Sequence, residues 1–195
     1  MLKIALSAAI AAAVITPSAA VAQNIPAAVV AVVDLDRVQA ECTACKSARA
    51  ALQTQANAVK SREEALTAPL QTEGKSIQAA IDALKGKEPD AALQARIKAF
   101  ETKRQQGAQE LANRGQQFQR NQAYVAQQIQ TKIGQIYRQV MQRRGANLMV
   151  EVGTTLASGA ALDVTNDVLA ALNTALPSVS ATAPAAPQQQ TPQSR

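Results

Sequence analysis

Apolar residues recur every seven positions at Leu52, Val59 and Leu66, and again at Leu111, Phe118 and Val125. That spacing belongs to a narrow seam between two helices, because a helix lying on a broad core shows a wider apolar stripe. The two runs are also mirror images. Leu52, Val59, Leu66, Ile77 and Leu84 pair with Val125, Phe118, Leu111, Phe100 and Leu93 so that each pair of residue numbers sums to 177. Two helices running antiparallel about a turn near residues 86–90 produce this symmetry, each pair forming one layer. Gly86 suits the position just past a helix end, and Pro89 suits the first turn of the returning helix. Helical segments over residues 46–85 and 90–144 predict an arm roughly 60 to 80 Å long, at ~1.5 Å per residue.

By the same rule Leu70 faces Gly107, and Pro69 stands beside it. A proline inside a helix removes a hydrogen bond and costs roughly 3 kcal/mol. Glycine brings no side chain to pack. Pro69, Leu70 and Gly107 therefore mark an expected bend or hinge about halfway along the arm, with a tolerated kink of no mechanical role as the alternative.

Outside the arm the period changes. Residues 29–33 form a β-branched run too short for a stable helix, and Asp34 or Asp36 then offers a helix cap. Beyond Gly145 the stretch NLMVEV alternates as a second strand, and Gly153 with residues 154–157 offers a hairpin return. Thr165 can cap a last amphipathic helix carrying Val168, Leu169 and Leu172 on one face. The expected fold is α+β and mainly α. A small strand-containing body, residues 23–45 and 145–176, carries the 46–144 hairpin arm. So few strands leave unpaired edges, which oligomerisation would cover. Residues 177–195, rich in Pro and Gln, read as a disordered tail.

The first 22 residues stand apart. A basic start at Lys3, an apolar run over residues 4–15 and the small residues Ala20, Val21 and Ala22 form the pattern of a secretory signal, cleaved after Ala22. The run is too short to cross a bilayer.

Composition removes several functions. Two Phe, two Tyr and no Trp cannot fill a wide core, whereas Ala, Gln, Lys and Leu suit long helices. There is no His, hence no imidazole base or imidazole metal ligand, and no phosphate loop or nucleophile elbow occurs. An enzyme is not expected, nor any cofactor. Net charge is +6, and residues 91–150 hold ten basic side chains against Glu101 and Glu110. Such an excess attracts acidic partners at long range. Arg96, Lys103, Arg104, Arg114 and Arg120 are the candidate substrate-contacting residues, with ordinary solubilising charge as the alternative for each. Export and scarce stacking aromatics disfavour nucleic acid. Cys42 and Cys45 lie within reach of one another. A local disulfide fits an oxidising compartment, with a zinc half-site, an inter-chain bond and a redox catalyst as alternatives.

The opening AVVAVVDLDRV, the Ala/Gln/Lys-rich hairpin and the closing NLMVEVGTTLASGAALDVTNDVLAAL resemble the Skp (OmpH-like) periplasmic chaperones. The resemblance spans residues 28 to about 176. It implies a jellyfish-like homotrimer, with a barrel-like body of strands and three hairpins around a cavity. Members bind unfolded outer-membrane β-barrel proteins without ATP, keep them from aggregating and pass them toward assembly. Their basic arms are expected to meet acidic clients and an anionic membrane surface. The cysteine pair and the Pro/Gln-rich tail are not general in that family. A rival reading is a structural coiled-coil spacer or tether that only sets a distance.

Overall fold

A computed structural model describes residues 25–185; the expected signal segment and residues 186–195 lie outside the described residues. Val30–Val33 (β1) pairs in parallel with Leu148–Glu151 (β2), Val30 beside Leu148 and Val33 beside Glu151. On the other edge of β1 the Val32 carbonyl accepts from the Val164 N–H at 2.9 Å, making a single bridge with Asp163. β1 is thus enclosed on both edges, and Ala31, Val32 and Val33 are buried. A continuous apolar run is what a central parallel strand requires. The Asn147 side chain fixes the register by accepting from Val29 N–H at 2.7 Å and donating to the Ala27 carbonyl at 2.8 Å.

The hairpin return expected after Gly153 does not form. Val152–Thr154 closes as a 3-10 turn, and the glycines with positive φ are Gly86 and Gly145. A two-residue hairpin turn needs such a backbone. Without it the chain runs on to Asp163 before it returns to β1.

Helix α1 (Leu35–Glu41) starts at Asp34, whose carboxylate accepts from the Arg37 N–H at 2.8 Å. Cys42, with ψ 129°, breaks the helical path, and α2 (Thr43–Ala83) begins directly after it. Lys85 and Gly86 take positive φ to turn the chain. Asp90 caps α3 (Ala91–Arg144) by accepting from Leu93 N–H at 2.8 Å. Pro89 therefore precedes the cap instead of lying in the first turn. Gly145 ends α3 in the left-handed region, φ 68°. Helix α4 (Thr165–Ala175) closes the body. Thr165 does not cap it: the Asp163 carboxylate accepts the Thr165 N–H, and the Thr165 hydroxyl instead accepts the Asp34 N–H at 2.9 Å.

The core sits in the body, where Val38, Val140, Val168 and Leu172 are fully enclosed with Ile136. The last turns of α3 thus belong to the body as much as to the arm. Along the arm, all ten mirrored seam residues are buried or half-buried. Helix α2 continues unbroken through Pro69.

Residues 177–185 depart from the disordered tail expected there. Val179 packs against the body core, and the chain beyond it is hydrogen-bonded to side chains of α2 and α3. The bonds engage main-chain groups, so the polar composition gave no sign of them.

Candidate functional site

Open recesses lie along the seam of the arm. In the middle, Pro69 has no N–H to give the Ala65 carbonyl, and Gly107 presents no side chain. Around them lies a recess of about 400 Å³, lined by Leu66, Leu70, Glu73 and Lys103 among others. Leu70, the mirror partner of Gly107, lines the same recess. A Cβ placed on Gly107 would meet Leu66, at 4.0 Å from its Cβ and both Cδ atoms. Phe100 likewise reaches toward a neighbouring turn, its Cζ lying 3.4 Å from a Cβ placed on Gly74. Side chains in a helical seam insert between neighbours on the facing helix, so each looks toward the adjacent turn as well as its own layer.

At the base of the arm Leu52, Phe118, Val125, Ile129, Ile133 and Tyr137 line a larger groove of about 540 Å³. Burial and nearby Glu151 push the Tyr137 phenol above its ordinary pKa. Cys42 and Cys45 form a disulfide near this end, with Cα atoms 5.1 Å apart. Cys42 is fully buried and Cys45 almost so. Thiol exchange requires access, and this pair offers little.

Charge ties the two helices together. Arg62 donates to both oxygens of Glu110, each at 2.8 Å, and Arg114 donates to the same carboxylate at 2.8 Å. Hydrogen bonds from Arg62 and then Arg114 hold the Glu110 carboxyl down to a pKa of about 2. Nearer the tip Arg96 bridges to Glu73 at 2.6 Å and to the Ser76 hydroxyl at 2.8 Å. The bond from Arg96 likewise lowers the Glu73 pKa.

The five candidate substrate-contacting residues all lie on α3, in unlike situations. Arg96 is engaged across the arm, Arg104 pairs with Glu101 at 2.7 Å, and Arg114 belongs to the Glu110 clamp. Arg120 donates to Gln117, and Lys103 lines the central recess. Among the described residues Lys103 and Arg120 have no carboxylate partner. No group of acidic, Cys or His side chains among the described residues could hold a metal ion. Likewise, no described helix is long and apolar enough to cross a membrane.

Residues 29–172 match the family model described as outer membrane protein (OmpH-like). The chain belongs to the OmpH-like family. Among solved structures, this OmpH-like chain is similar to a Caulobacter crescentus CB15 protein named as an outer membrane chaperone (OmpH-like). The TM-score is 0.64 and the identity 17%, over 82% of this chain and 92% of that one. At such identity the likeness speaks for the fold. No functionally curated protein matches.

Three residues of this OmpH-like chain had escaped the sequence reading: Gln55, Asn121 and Gln128. Asn121 is 5% exposed, donates to Gln55 Oε1 at 2.7 Å and accepts from Gln117 at 2.8 Å. A signal was present. Gln55, Arg62 and Pro69 stand three residues after Leu52, Val59 and Leu66, while Arg114, Asn121 and Gln128 stand three after Leu111, Phe118 and Val125. These are the second core positions of each heptad, normally apolar. Polar residues there give a seam that is half greasy and half hydrogen-bonding.

Proposed function

We propose that this chain is an ATP-independent periplasmic holdase that binds unfolded outer-membrane β-barrel proteins and keeps them from aggregating on the way to the outer membrane. The observation that carries the reading is the split seam of the arm, with buried or half-buried apolar residues along one set of heptad positions and carboxamides, guanidinia and Pro69 along the other. An unfolded barrel strand alternates apolar and polar side chains. A surface offering both, in open recesses, makes many weak contacts and selects little by shape.

The working form is a homotrimer. Leu148 within β2 and Val152 directly after it are exposed, and β2 has a strand on only one edge of the two-stranded sheet. Apolar side chains beside an open edge are what a neighbouring subunit would cover. Lys103, Arg104 and Arg120 supply the cationic face for acidic clients and an anionic membrane surface, with Arg96 and Arg114 holding the arm in shape. Pro69, Leu70 and Gly107 form a hinge that lets the arm close on clients of different size.

One observation favours the rival spacer: the Arg62–Glu110 and Arg96–Glu73 bridges brace the helices as a stiff strut would be braced. Sedimentation separates the two readings. An unfolded barrel protein diluted from urea into the mature chain should co-sediment with it at about one client per trimer and at no fixed position along a salt series, because charge screening weakens the basic contacts. A spacer leaves the client in the pellet at every salt concentration.

A further inference from the structure

The segment after α4 is held at the base of the arm in an unusual manner. The Gln128 carboxamide accepts from the Ser180 N–H at 3.0 Å and donates to the Ser180 carbonyl at 2.9 Å. Gln55 donates to the Ala181 carbonyl at 2.9 Å, and Asn121 accepts from the Ala183 N–H at 2.9 Å. A carboxamide that engages both main-chain groups of one residue reproduces a step of a β-ladder. None of these bonds reads a tail side chain. Half-buried Val179, Ala181 and Ala183 alternate with exposed Ser178, Ser180, Thr182 and Pro184, so the only selection is for small apolar groups inward and polar groups outward. The receiving side is fixed from within α2 and α3, since Gln55 and Gln117 already orient the buried Asn121 carboxamide. The groove lined by Leu52, Phe118 and Val125 does not include these residues; Phe118 borders both it and the recess of about 310 Å³ that holds Gln55, Asn121 and Thr182.

We infer that Gln55, Asn121 and Gln128 form a track that reads polypeptide main chain, and that the chain's own residues 179–183 occupy it until an unfolded client segment of alternating pattern displaces them. The tail is then a cis competitor that sets a threshold for client binding. Identifying the displacing chain as a client rests on the holdase reading; the track itself does not.

The test uses a fluorescent peptide of residues 177–185 titrated by anisotropy into the mature chain and into a chain ending at Leu176. A tethered segment has an effective concentration of about 1 mM, so a peptide that binds the shortened chain at about 100 µM should bind the full chain roughly tenfold more weakly. Ser180→Pro in the full chain removes the N–H given to Gln128 without shortening anything, and should restore peptide binding toward the shortened-chain value. A peptide reordered with its alternation kept should bind comparably, and Gln128→Ala in the shortened chain should abolish most binding. Absence of saturable binding to both the shortened and Ser180→Pro chains overturns the proposal. So does equal binding to the full and shortened chains. An unfolded barrel protein should displace the peptide; failure to do so while the peptide binds overturns the client threshold. If peptide binding holds and aggregation is not suppressed, the holdase reading falls and the track stands.

Discussion

Arg62 grips Glu110 through two hydrogen bonds of 2.8 Å, joining α2 to α3 midway along an arm that buries little apolar surface. Glu110 titrates near 2 when the arm is formed, below its ordinary 4.5. A carboxyl with a lowered folded-state pKa stabilises fully above the ordinary value and loses that contribution as pH falls through the folded one. The arm should therefore loosen between about pH 4.5 and 2, and Glu73, lowered in the same direction, should add to the effect. In Glu110→Gln the pH dependence of helical melting in this window should flatten. An unchanged slope would show that the clamp contributes nothing.

Gly107 lies against Leu66 with room for a methyl group, since an added Cβ would meet nothing nearer than 4.0 Å. Gly107→Ala should accordingly stabilise the arm, by up to about 1 kcal/mol from helix propensity. Adding Pro69→Ala restores a donor to the Ala65 carbonyl and removes a penalty of roughly 3 kcal/mol. Spin labels near the base and tip of the arm should report a narrower distance distribution in the double variant. An identical distribution would leave no hinge at this level.

Asn121 carries three hydrogen bonds in a nearly buried position, to Gln55, Gln117 and Ala183. Asn121→Ala leaves their partners unsatisfied and should cost about 1–3 kcal/mol. The same substitution should speed proteolytic nicking within residues 177–185 ahead of any cut in the helices. Loss of stability with no change in tail protection would mean that Asn121 serves the helices alone.

The Cys42–Cys45 disulfide closes a very short loop. Chain-entropy reasoning gives such a link about 2 kcal/mol. Reduction in mild denaturant should lower the melting point of the body while leaving arm helicity and client binding intact. Abolished client binding would assign the cysteines a role beyond bracing the junction of α1 and α2.

The hairpin was legible because an antiparallel seam writes its symmetry into the chain: residues equidistant from the turn at residues 84–90 must both be apolar. β1 was legible from its unbroken apolar run, β-branched at every position but Ala31, and Asp34 from its place before α1. Mirror arithmetic gives the layer but not the neighbours a turn away, such as Leu66 beside Gly107 and Gly74 beside Phe100, because seam side chains interdigitate. Arg96 read as free charge because Glu73, its partner, lies on the other helix, and spacing along one helix cannot show that. The second neighbour of β1, at Asp163, was missed because Gly153 looked like a turn glycine but lacks the positive φ of a hairpin. Most telling is the tail. Carboxamides that bind main chain demand almost nothing of the bound sequence, so Val179 to Ala183 looked featureless although the track beneath them is built from specific side chains.

The central claim, a holdase rather than a spacer, is tested most directly by light scattering of an unfolded outer-membrane barrel protein diluted from urea into buffer without ATP. The mature chain should suppress the scattering, with full suppression at roughly one trimer per client and partial loss at high salt. Scattering that rises undiminished at a several-fold excess of folded chain would contradict the account.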